Sequence, residues 1–242
     1  MAMLYAIISD IHGNLEALTR TLEEIDGAGV DKIICLGDIV GYGANPNECV
    51  ETVQDRCELS LVGNHDSAAC GTTEPTSFNP MARDAVLWTR RMLTEENTQY
   101  LQNLPSSSEV ENFLIVHGAI SHPDRYVHTP YDAYNELKLL EEKDTCFFGH
   151  THVMGYFVLK EEKVDNFTDL ELYIEPDAKY FINPGSVGQP RDRNPKASFL
   201  FFDGENKHVK FVRLDYDIPN AQRKILDAGL DQRLATRLGY GI

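Results

Sequence analysis

Five short motifs carry the carboxylate, amide and imidazole groups with which this 242-residue chain could do chemistry. In chain order they are Asp10-Ile11-His12, Gly37-Asp38, Gly63-Asn64-His65-Asp66, His117-Gly118 and Gly149-His150-Thr151-His152. Each motif follows a short apolar run that is typical of a β-strand. Loops at the ends of mostly parallel strands gather at one edge of a sheet, where open α/β folds bind their ligands. We therefore expect these side chains to meet in space.

The residue types in these motifs favour divalent first-row metals, which bind imidazole nitrogens together with carboxylate and amide oxygens. The candidate ligands are more numerous than one ion needs: Asp10, His12, Asp38, Asn64, His117, His150 and His152. The set therefore predicts two divalent ions that share a carboxylate. Mn²⁺ is the first expectation, and Fe, Ni²⁺, Zn²⁺ and Co²⁺ are the alternatives, because all of them suit such ligands.

The elements that must position these groups alternate between strand and helix in the first half of the chain. Apolar residues at helical spacing follow Asn14, which is suited to an N-cap, and further helices are predicted over 47–56, 78–104 and 133–142. This order predicts an α/β protein with a parallel sheet covered by helices. After His152 the strands follow one another directly, which predicts a second, more antiparallel sheet packed on the first. A helical tail, interrupted at Gly229, is expected at about 219–239.

Composition and charge exclude several classes of function. The formal charge of −16 repels phosphate backbones, so we expect no tight binding of nucleic acid. Cys35 and Cys146 fall in predicted core strands and no CxxC pair occurs, which favours reduced, buried thiols and a cytoplasmic protein. We expect no secretion signal, because Asp10 and His12 come too early for a long apolar stretch, and no membrane span, because no apolar run reaches the required length. We expect one domain over 1–242 and leave a homo-oligomer open.

The motifs, taken in order as D-x-H, GD, GNHD, HG and GHTH, resemble those of the calcineurin-like metallophosphoesterase superfamily. The segments SDIHGNLEAL, CLGDIVGYG and NPGSVGQPRD resemble its compact bacterial and archaeal branch, which includes small phosphodiesterases. The resemblance spans nearly the whole chain. It implies a four-layer α/β/β/α sandwich, in which two mixed β-sheets are flanked by helices.

The resemblance also divides the candidate ligands between two ions. It implies that the first ion is bound by Asp10, His12 and His152, and that the second is bound by Asn64, His117 and His150. Asp38 would bridge the two ions, one with each carboxylate oxygen, and so hold them close enough to act on one water and one phosphate.

His65 and Asp66 have catalytic roles by the same resemblance. His65 would lie over the phosphate and stabilise or protonate the departing oxygen. Asp66 would hold the imidazole of His65 and keep it cationic. The ordinary alternative for Asp66 is a hydrogen bond that caps a helix N-terminus.

The implied reaction is direct hydrolysis of a small phosphodiester or phosphomonoester, in which a hydroxide bridging the ions attacks phosphorus in line. Asn14 and Arg191 are candidate substrate contacts, since Arg191 follows a glycine-rich loop and could bind phosphate in a bidentate manner. An ion pair with Asp192 is the alternative for Arg191. Tyr42 and Tyr126 lie on loops that could line the same opening, although packing is the ordinary interpretation for both.

Two other functions compete with this hypothesis. The first is a non-catalytic binding scaffold like the retromer subunit that resembles this branch; it would tolerate the loss of a ligand, whereas all the motif positions are filled here. The second is a phosphatase acting on phosphoproteins or dinucleoside polyphosphates. Those members carry GDxxDRG and GNHE, whereas residues 37–43 lack that arginine and Asp66 stands in place of the glutamate.

Overall fold

Two six-stranded β-sheets form the centre of the protein in a computed structural model that describes residues 3–242. The first two residues of the expected domain therefore lie outside the described residues. The first sheet has the order β3 (Leu59–Ser60), β2 (Lys32–Cys35), β1 (Leu4–Ile8), β11 (Ala197–Asp203), β12 (His208–Leu214) and β9 (Glu171–Tyr173). Strands β1, β2 and β3 are parallel, whereas β11 is antiparallel to both of its neighbours.

The second sheet is mixed in the same way. Its order is β4 (Ser107–Val110), β5 (Phe113–Val116), β6 (Thr145–Phe147), β10 (Lys179–Asn183), β7 (Gly155–Lys160) and β8 (Lys163–Phe167). Strands β5, β6 and β10 are parallel, and the remaining pairs are antiparallel.

The strands after His152 do not form a sheet of their own, so that part of the prediction was wrong. They are shared between the two sheets, because β10 pairs with β6 and β11 pairs with β1. Pairing partners of this kind are distant in sequence, and a hydrophobic pattern does not specify them. The edge strands β4 and β8 were not predicted, since their exposed and polar residues give no apolar alternation.

The core lies between the sheets and under the helices on either side. In β1, Tyr5 and Ile7 face the second sheet, where the Tyr5 ring lies 5.3 Å from the ring of Phe113. Ala6 and Ile8 face the opposite way and pack against helices. Each central strand is therefore buried on both faces, as expected for parallel strands between two layers. The α/β/β/α sandwich with two mixed sheets is confirmed.

The helices cover the outer faces of the two sheets. They are α1 (Leu15–Ala28), α2 (Pro46–Arg56), α3 (Asn64–Ala69), α4 (Pro80–Met92), α5 (Glu95–Gln102), α6 (Pro130–Leu137), α7 (Ile218–Asp227) and α8 (Gln232–Leu238). The region predicted as one helix over 78–104 is divided at Leu93, where the chain becomes extended. Helix α6 begins earlier than predicted because Thr129 and Asp132 form a capping box at its start, and it ends at Leu137. Within residues 3–242, no helix combines the length and apolar character that a bilayer crossing requires.

Candidate metal centre

The strand ends of both sheets converge on one buried group of acidic and imidazole side chains. Loops after β1, β2 and β3 supply the first three motifs, and loops after β5 and β6 supply the other two. Donor atoms lie within 4.8 Å of one another in two overlapping clusters: Asp10, His12, Asp38 and His152, and then Asp38, His117 and His150. Asn64 joins the second cluster, with its Oδ1 3.4 Å from Nε2 of His117.

The backbone at this centre is held in a conformation that non-glycine residues rarely adopt. Asp10, His12, Asp38, His150 and His152 all have φ between 51° and 66°. Each such residue costs roughly 1–3 kcal/mol and persists only where surrounding contacts enforce it. Here the contacts are backbone hydrogen bonds between loops, such as the amide of Asp10 donating to Gly37 O at 3.0 Å and that of His12 donating to Asp38 O at 2.9 Å. The contacts between the loops thus hold a strained backbone, in which these side chains all point toward one centre.

In the first cluster, two ring nitrogens face each other without a proton between them. Nδ1 of His12 donates to Val40 O at 3.0 Å, and Nδ1 of His152 donates to Gln189 O at 2.6 Å. Burial holds the pKa of both rings well below the usual value, so each is neutral and presents a lone pair on Nε2. These two Nε2 atoms are only 3.1 Å apart. Two acceptors at this distance fit a cation that both bind, because they cannot satisfy each other.

Asp38 lies between the two clusters. Its Oδ2 is 3.5 Å from Nε2 of His12 and also 3.5 Å from Nε2 of His117. Its Oδ1 accepts a hydrogen bond from the backbone amide of His65 at 2.9 Å. Oδ2 therefore faces both clusters, whereas Oδ1 is held by the backbone. Although burial opposes ionisation, the charge of the His117 ring and its hydrogen bond to the carboxylate hold the pKa of Asp38 well below its usual value, and the carboxylate is charged.

The second cluster also orients its imidazoles through backbone carbonyls. Nδ1 of His117 donates to Leu36 O at 2.9 Å, which leaves Nε2 directed toward Asp38 and Asn64. Burial lowers the pKa of His117, but Asp38 outweighs it and raises that pKa to about 10, so this position favours a positive charge. Nε2 of His150 lies 3.2 Å from Asp124 O and donates a hydrogen bond to it, because a carbonyl oxygen can only accept. The lone pair of the neutral ring is therefore on Nδ1.

In the first cluster, the buried carboxylate of Asp10 likewise favours a positive charge beside it. The carboxylate is fully buried and its Oδ1 lies 3.3 Å from Nε2 of His152. Burial raises the pKa of Asp10 to about 7, because the charged form is poorly solvated there. Both oxygens also accept from the amide of His150 at 3.1–3.2 Å, and this contact ties the first motif to the last. The donor set as a whole suits divalent cations.

His65 lies beside the clusters and lines a cavity of about 300 Å³. Its ring packs among those of His12, Tyr42 and Phe78, with centroid distances of 4.9, 4.4 and 4.8 Å. Nδ1 is buried and has no hydrogen-bond partner within the described residues. Burial lowers the pKa of His65 to about 4, so the ring is neutral in this arrangement rather than cationic as expected.

Asp66 does not hold the His65 ring, and that expectation is corrected. Its Oδ2 accepts from the backbone amide of Gly63 and its Oδ1 accepts from that of Val40, both at 3.0 Å. As the third residue of α3, Asp66 folds back onto the amide that precedes the helix, which was the alternative interpretation. The bond to Val40 also ties the third motif to the loop that follows the second.

Arg191 lies beside the first cluster and is not paired with Asp192, which forms an ion pair with Arg213 instead. Nη2 of Arg191 contacts Gln189 Oε1 at 3.0 Å and the Tyr42 hydroxyl at 3.5 Å. Its guanidinium carbon lies 5.7 Å from the centroid of the Tyr42 ring. The alternative of a local ion pair is therefore wrong, and Arg191 directs its charge at the centre, where it contributes to lowering the pKa of His12, His65 and His152.

Asn14 is a structural residue, so its expected contact with substrate is corrected. Oδ1 accepts from the amide of Ala17 at 3.2 Å and caps α1, as the sequence predicted. Nδ2 donates to Gly188 O at 2.8 Å and to the Tyr216 hydroxyl at 3.2 Å. The side chain is 5% exposed, and all of these contacts are internal.

Sequence reasoning missed the groups that orient the imidazoles, because these groups are backbone carbonyls. Leu36 O, Val40 O and Gln189 O set which nitrogen of His117, His12 and His152 faces the centre. No residue type marks such an acceptor. Tyr42 was treated as a packing residue, yet it is 6% exposed, has φ 61° and contacts His12, His65 and Arg191.

Comparison with known proteins identifies the class. Residues 3–207 match the model of the calcineurin-like phosphoesterase superfamily domain, and the chain belongs to this superfamily. It is 42% identical over 243 residues to an uncharacterized protein of Methanocaldococcus jannaschii, and the aligned region covers 98% of each chain. It is 24% identical to the phosphodiesterase YfcE of Escherichia coli, over 85% of this chain and 89% of that protein.

A solved structure agrees in fold over the whole length. The metallophosphoesterase from Sphaerobacter thermophilus is 39% identical, covers 100% of both chains and superposes with a TM-score of 0.88. The predicted family is thus confirmed, and the buried aspartate and histidine cluster occupies the strand-end loops of a phosphoesterase fold.

Proposed function

We propose that this protein hydrolyses a small phosphodiester or phosphomonoester with two divalent metal ions, of which Mn²⁺ is the first choice. The observation that carries the proposal is the position of Asp38 Oδ2, 3.5 Å from an imidazole nitrogen of each cluster. One charged oxygen in that position suits two cations at once. The 24% identity to a phosphodiesterase supports a diester as the substrate to test first.

Several residues of the chain would hold the ions beside the phosphate. Ions bound there would supply Lewis acidity toward the phosphate oxygens and toward an attacking water. His12, His117 and His152 hold their rings in a fixed tautomer through backbone carbonyls, so the donor atoms need little reorganisation.

Two side chains outside the clusters complete the proposed site. His65 lines the adjacent cavity and can donate a ring N–H to the departing oxygen. Arg191 is fixed by Gln189 and Tyr42 and adds positive charge for an anionic substrate.

The test is metal-dependent hydrolysis by chelator-stripped protein to which each candidate metal is added separately. Bis(p-nitrophenyl) phosphate, p-nitrophenyl phosphate and a p-nitrophenyl phenylphosphonate distinguish diesterase from monoesterase activity. We expect turnover to require added metal and to fall at least about 100-fold in Asp38→Asn, because the shared carboxylate is lost. Asp55→Asn, which changes an exposed aspartate of α2, is the matched control and should retain full activity. Absence of turnover with every metal and substrate would contradict the proposal and favour a binding scaffold.

A further inference from the structure

The C-terminal helical pair, α7 and α8, packs directly on the loop that carries Tyr42. Ile225 of α7 and Leu234 and Leu238 of α8 are buried in one apolar cluster with Tyr42. The match to the family model ends at residue 207, so both helices lie outside the matched span. A contribution of this pair to the site is therefore not implied by membership of the superfamily.

Arg237, near the end of α8, reaches the ring of Tyr42. Its guanidinium carbon lies 6.0 Å from the ring centroid, and that of Arg191 lies 5.7 Å from the same centroid. Attraction between a cation and an aromatic ring acts at such distances. Burial and the nearby charge of Arg191 lower the pKa of Arg237. Two guanidinium groups therefore border one buried ring and lie close enough to repel each other.

The turn after α8 is tied to the loop that carries Arg191. The amide of Arg193 donates to Gly241 O at 2.8 Å. Gly241 has φ 64°, and a Cβ atom at this position would lie 2.6–2.7 Å from main-chain atoms of Asn194. So close an approach in this conformation requires glycine. Helix α8 is thus joined to Arg191 by two routes, through the Tyr42 ring and through the turn that follows the helix.

The charge of Arg237 limits the positions that Arg191 can adopt. Nη2 of Arg191 contacts Gln189 Oε1 at 3.0 Å and the Tyr42 hydroxyl at 3.5 Å. A rotation of Arg191 toward α8 would bring it nearer to Arg237, and both guanidinium groups keep their charge at ordinary pH. Repulsion in a partly buried place is stronger than in water. Arg237 therefore favours the orientation in which Arg191 directs its charge at the metal centre.

We propose that Arg237 is a positioning residue for substrate binding, which holds the Tyr42 ring and keeps the Arg191 guanidinium directed at the anionic substrate. Arg237 acts through these two residues and does not itself contact the phosphate. This inference rests on the proposed phosphoesterase function and adds to it a role for the C-terminal helical pair. Because the oriented cation stabilises the bound substrate, loss of Arg237 should raise KM more than it lowers kcat.

Steady-state hydrolysis of bis(p-nitrophenyl) phosphate by the Mn²⁺-loaded protein tests the proposal. Arg237→Gln should raise KM about three- to fivefold, the factor expected for one contact between a cation and a ring, and leave kcat within about twofold. Arg237→Lys keeps the charge and should return KM to within about twofold of the parent. Arg233→Gln is the matched control on the same helix, where the Arg233 side chain is 74% exposed, and it should change neither constant.

A double variant separates positioning from general packing. In Arg191→Gln the residue through which Arg237 acts is already lost, so the further change Arg237→Gln should not raise KM again. A purely structural effect of Arg237 would add to that of Arg191. Additive increases in KM, or an unchanged KM in Arg237→Gln alone, would overturn the proposal.

Two glycine variants test the second route from α8 to Arg191. Gly241→Ala places a Cβ atom against Asn194 and should raise KM in the same direction as Arg237→Gln. Gly229→Ala introduces comparable backbone strain, at φ 70°, but its Cβ atom would meet nothing within 4 Å among the described residues, so KM should stay at the parent value. Equal KM values in these two variants would remove this route. Absence of phosphoester hydrolysis by the parent protein would instead refute the underlying function.

Discussion

At the scale of single residues, hydrogen bonds determine whether a histidine ring faces the metal centre or the adjacent cavity. His12, His117 and His152 each donate Nδ1 to a backbone carbonyl, which directs Nε2 at the centre. His65 has no such partner for Nδ1 within the described residues, and its ring lines the cavity instead. Its backbone amide, by contrast, supports the centre by donating to Asp38 at 2.9 Å. The side chain and the main chain of His65 therefore have separable roles.

Replacement of His65 by alanine tests this separation. The backbone amide remains in His65→Ala, so we expect metal content, measured by inductively coupled plasma mass spectrometry, to equal that of the parent. We expect kcat for bis(p-nitrophenyl) phosphate to fall by about 10²–10³-fold, the usual cost of losing one hydrogen-bond donor to an oxygen on which negative charge develops.

The matched control for this variant is His208→Ala, in β12 beside the edge strand β9. Its side chain stacks on Tyr173 and belongs to neither cluster. Full activity in His65→Ala would remove His65 from the proposed mechanism, and loss of metal from that variant would show that the ring is needed to form the centre.

At the scale of elements, the strand-end loops are tied to one another as well as to their own strands. Asn14 caps α1 and also donates to Gly188, in the loop that follows β10. Asp66 joins the start of α3 to Val40 in the loop after β2. These bonds connect segments distant in sequence and help to hold the left-handed residues in place.

Asn14→Ala should therefore reduce stability rather than substrate binding. Loss of the cap and of two donated hydrogen bonds is expected to lower the free energy of unfolding by about 1–3 kcal/mol, measured by urea denaturation. KM for bis(p-nitrophenyl) phosphate should stay within about twofold of the parent, because the side chain is buried in internal contacts.

Thr94→Ala provides the comparison, since it removes only the cap of α5, where Thr94 accepts from Asn97. Its expected cost is about 1 kcal/mol. A large rise in KM of Asn14→Ala without any loss of stability would restore the substrate contact that the structure argues against.

The sequence predicted the parts of the fold and centre that a local pattern encodes. The apolar runs identified most of the strands, and the motifs identified which side chains converge. It did not predict that β11 pairs with β1, because pairing between distant strands leaves no local signal. It also misassigned Asp66, since the competition between a helix-capping amide and an imidazole is decided by backbone geometry. The left-handed conformation of five non-glycine residues could not be predicted from the sequence either, because here tertiary contacts impose it on Asp and His.

At the scale of the whole molecule, the centre joins the two halves of the sandwich. His12 and His152 are 140 residues apart and come from different sheets, yet their Nε2 atoms lie 3.1 Å apart. Buried carboxylates and facing lone pairs at this junction oppose folding unless cations compensate them. Ions bound there would join the sheets at the edge where the substrate must approach.

Anomalous scattering from crystals of the Mn²⁺-loaded protein tests whether two ions share the Asp38 carboxylate. We predict two anomalous peaks about 3.5–4 Å apart. Asp38 should lie between them, with His12 and His152 beside one peak and His117 and His150 beside the other. A single peak, or two peaks of which only one contacts Asp38, would contradict it.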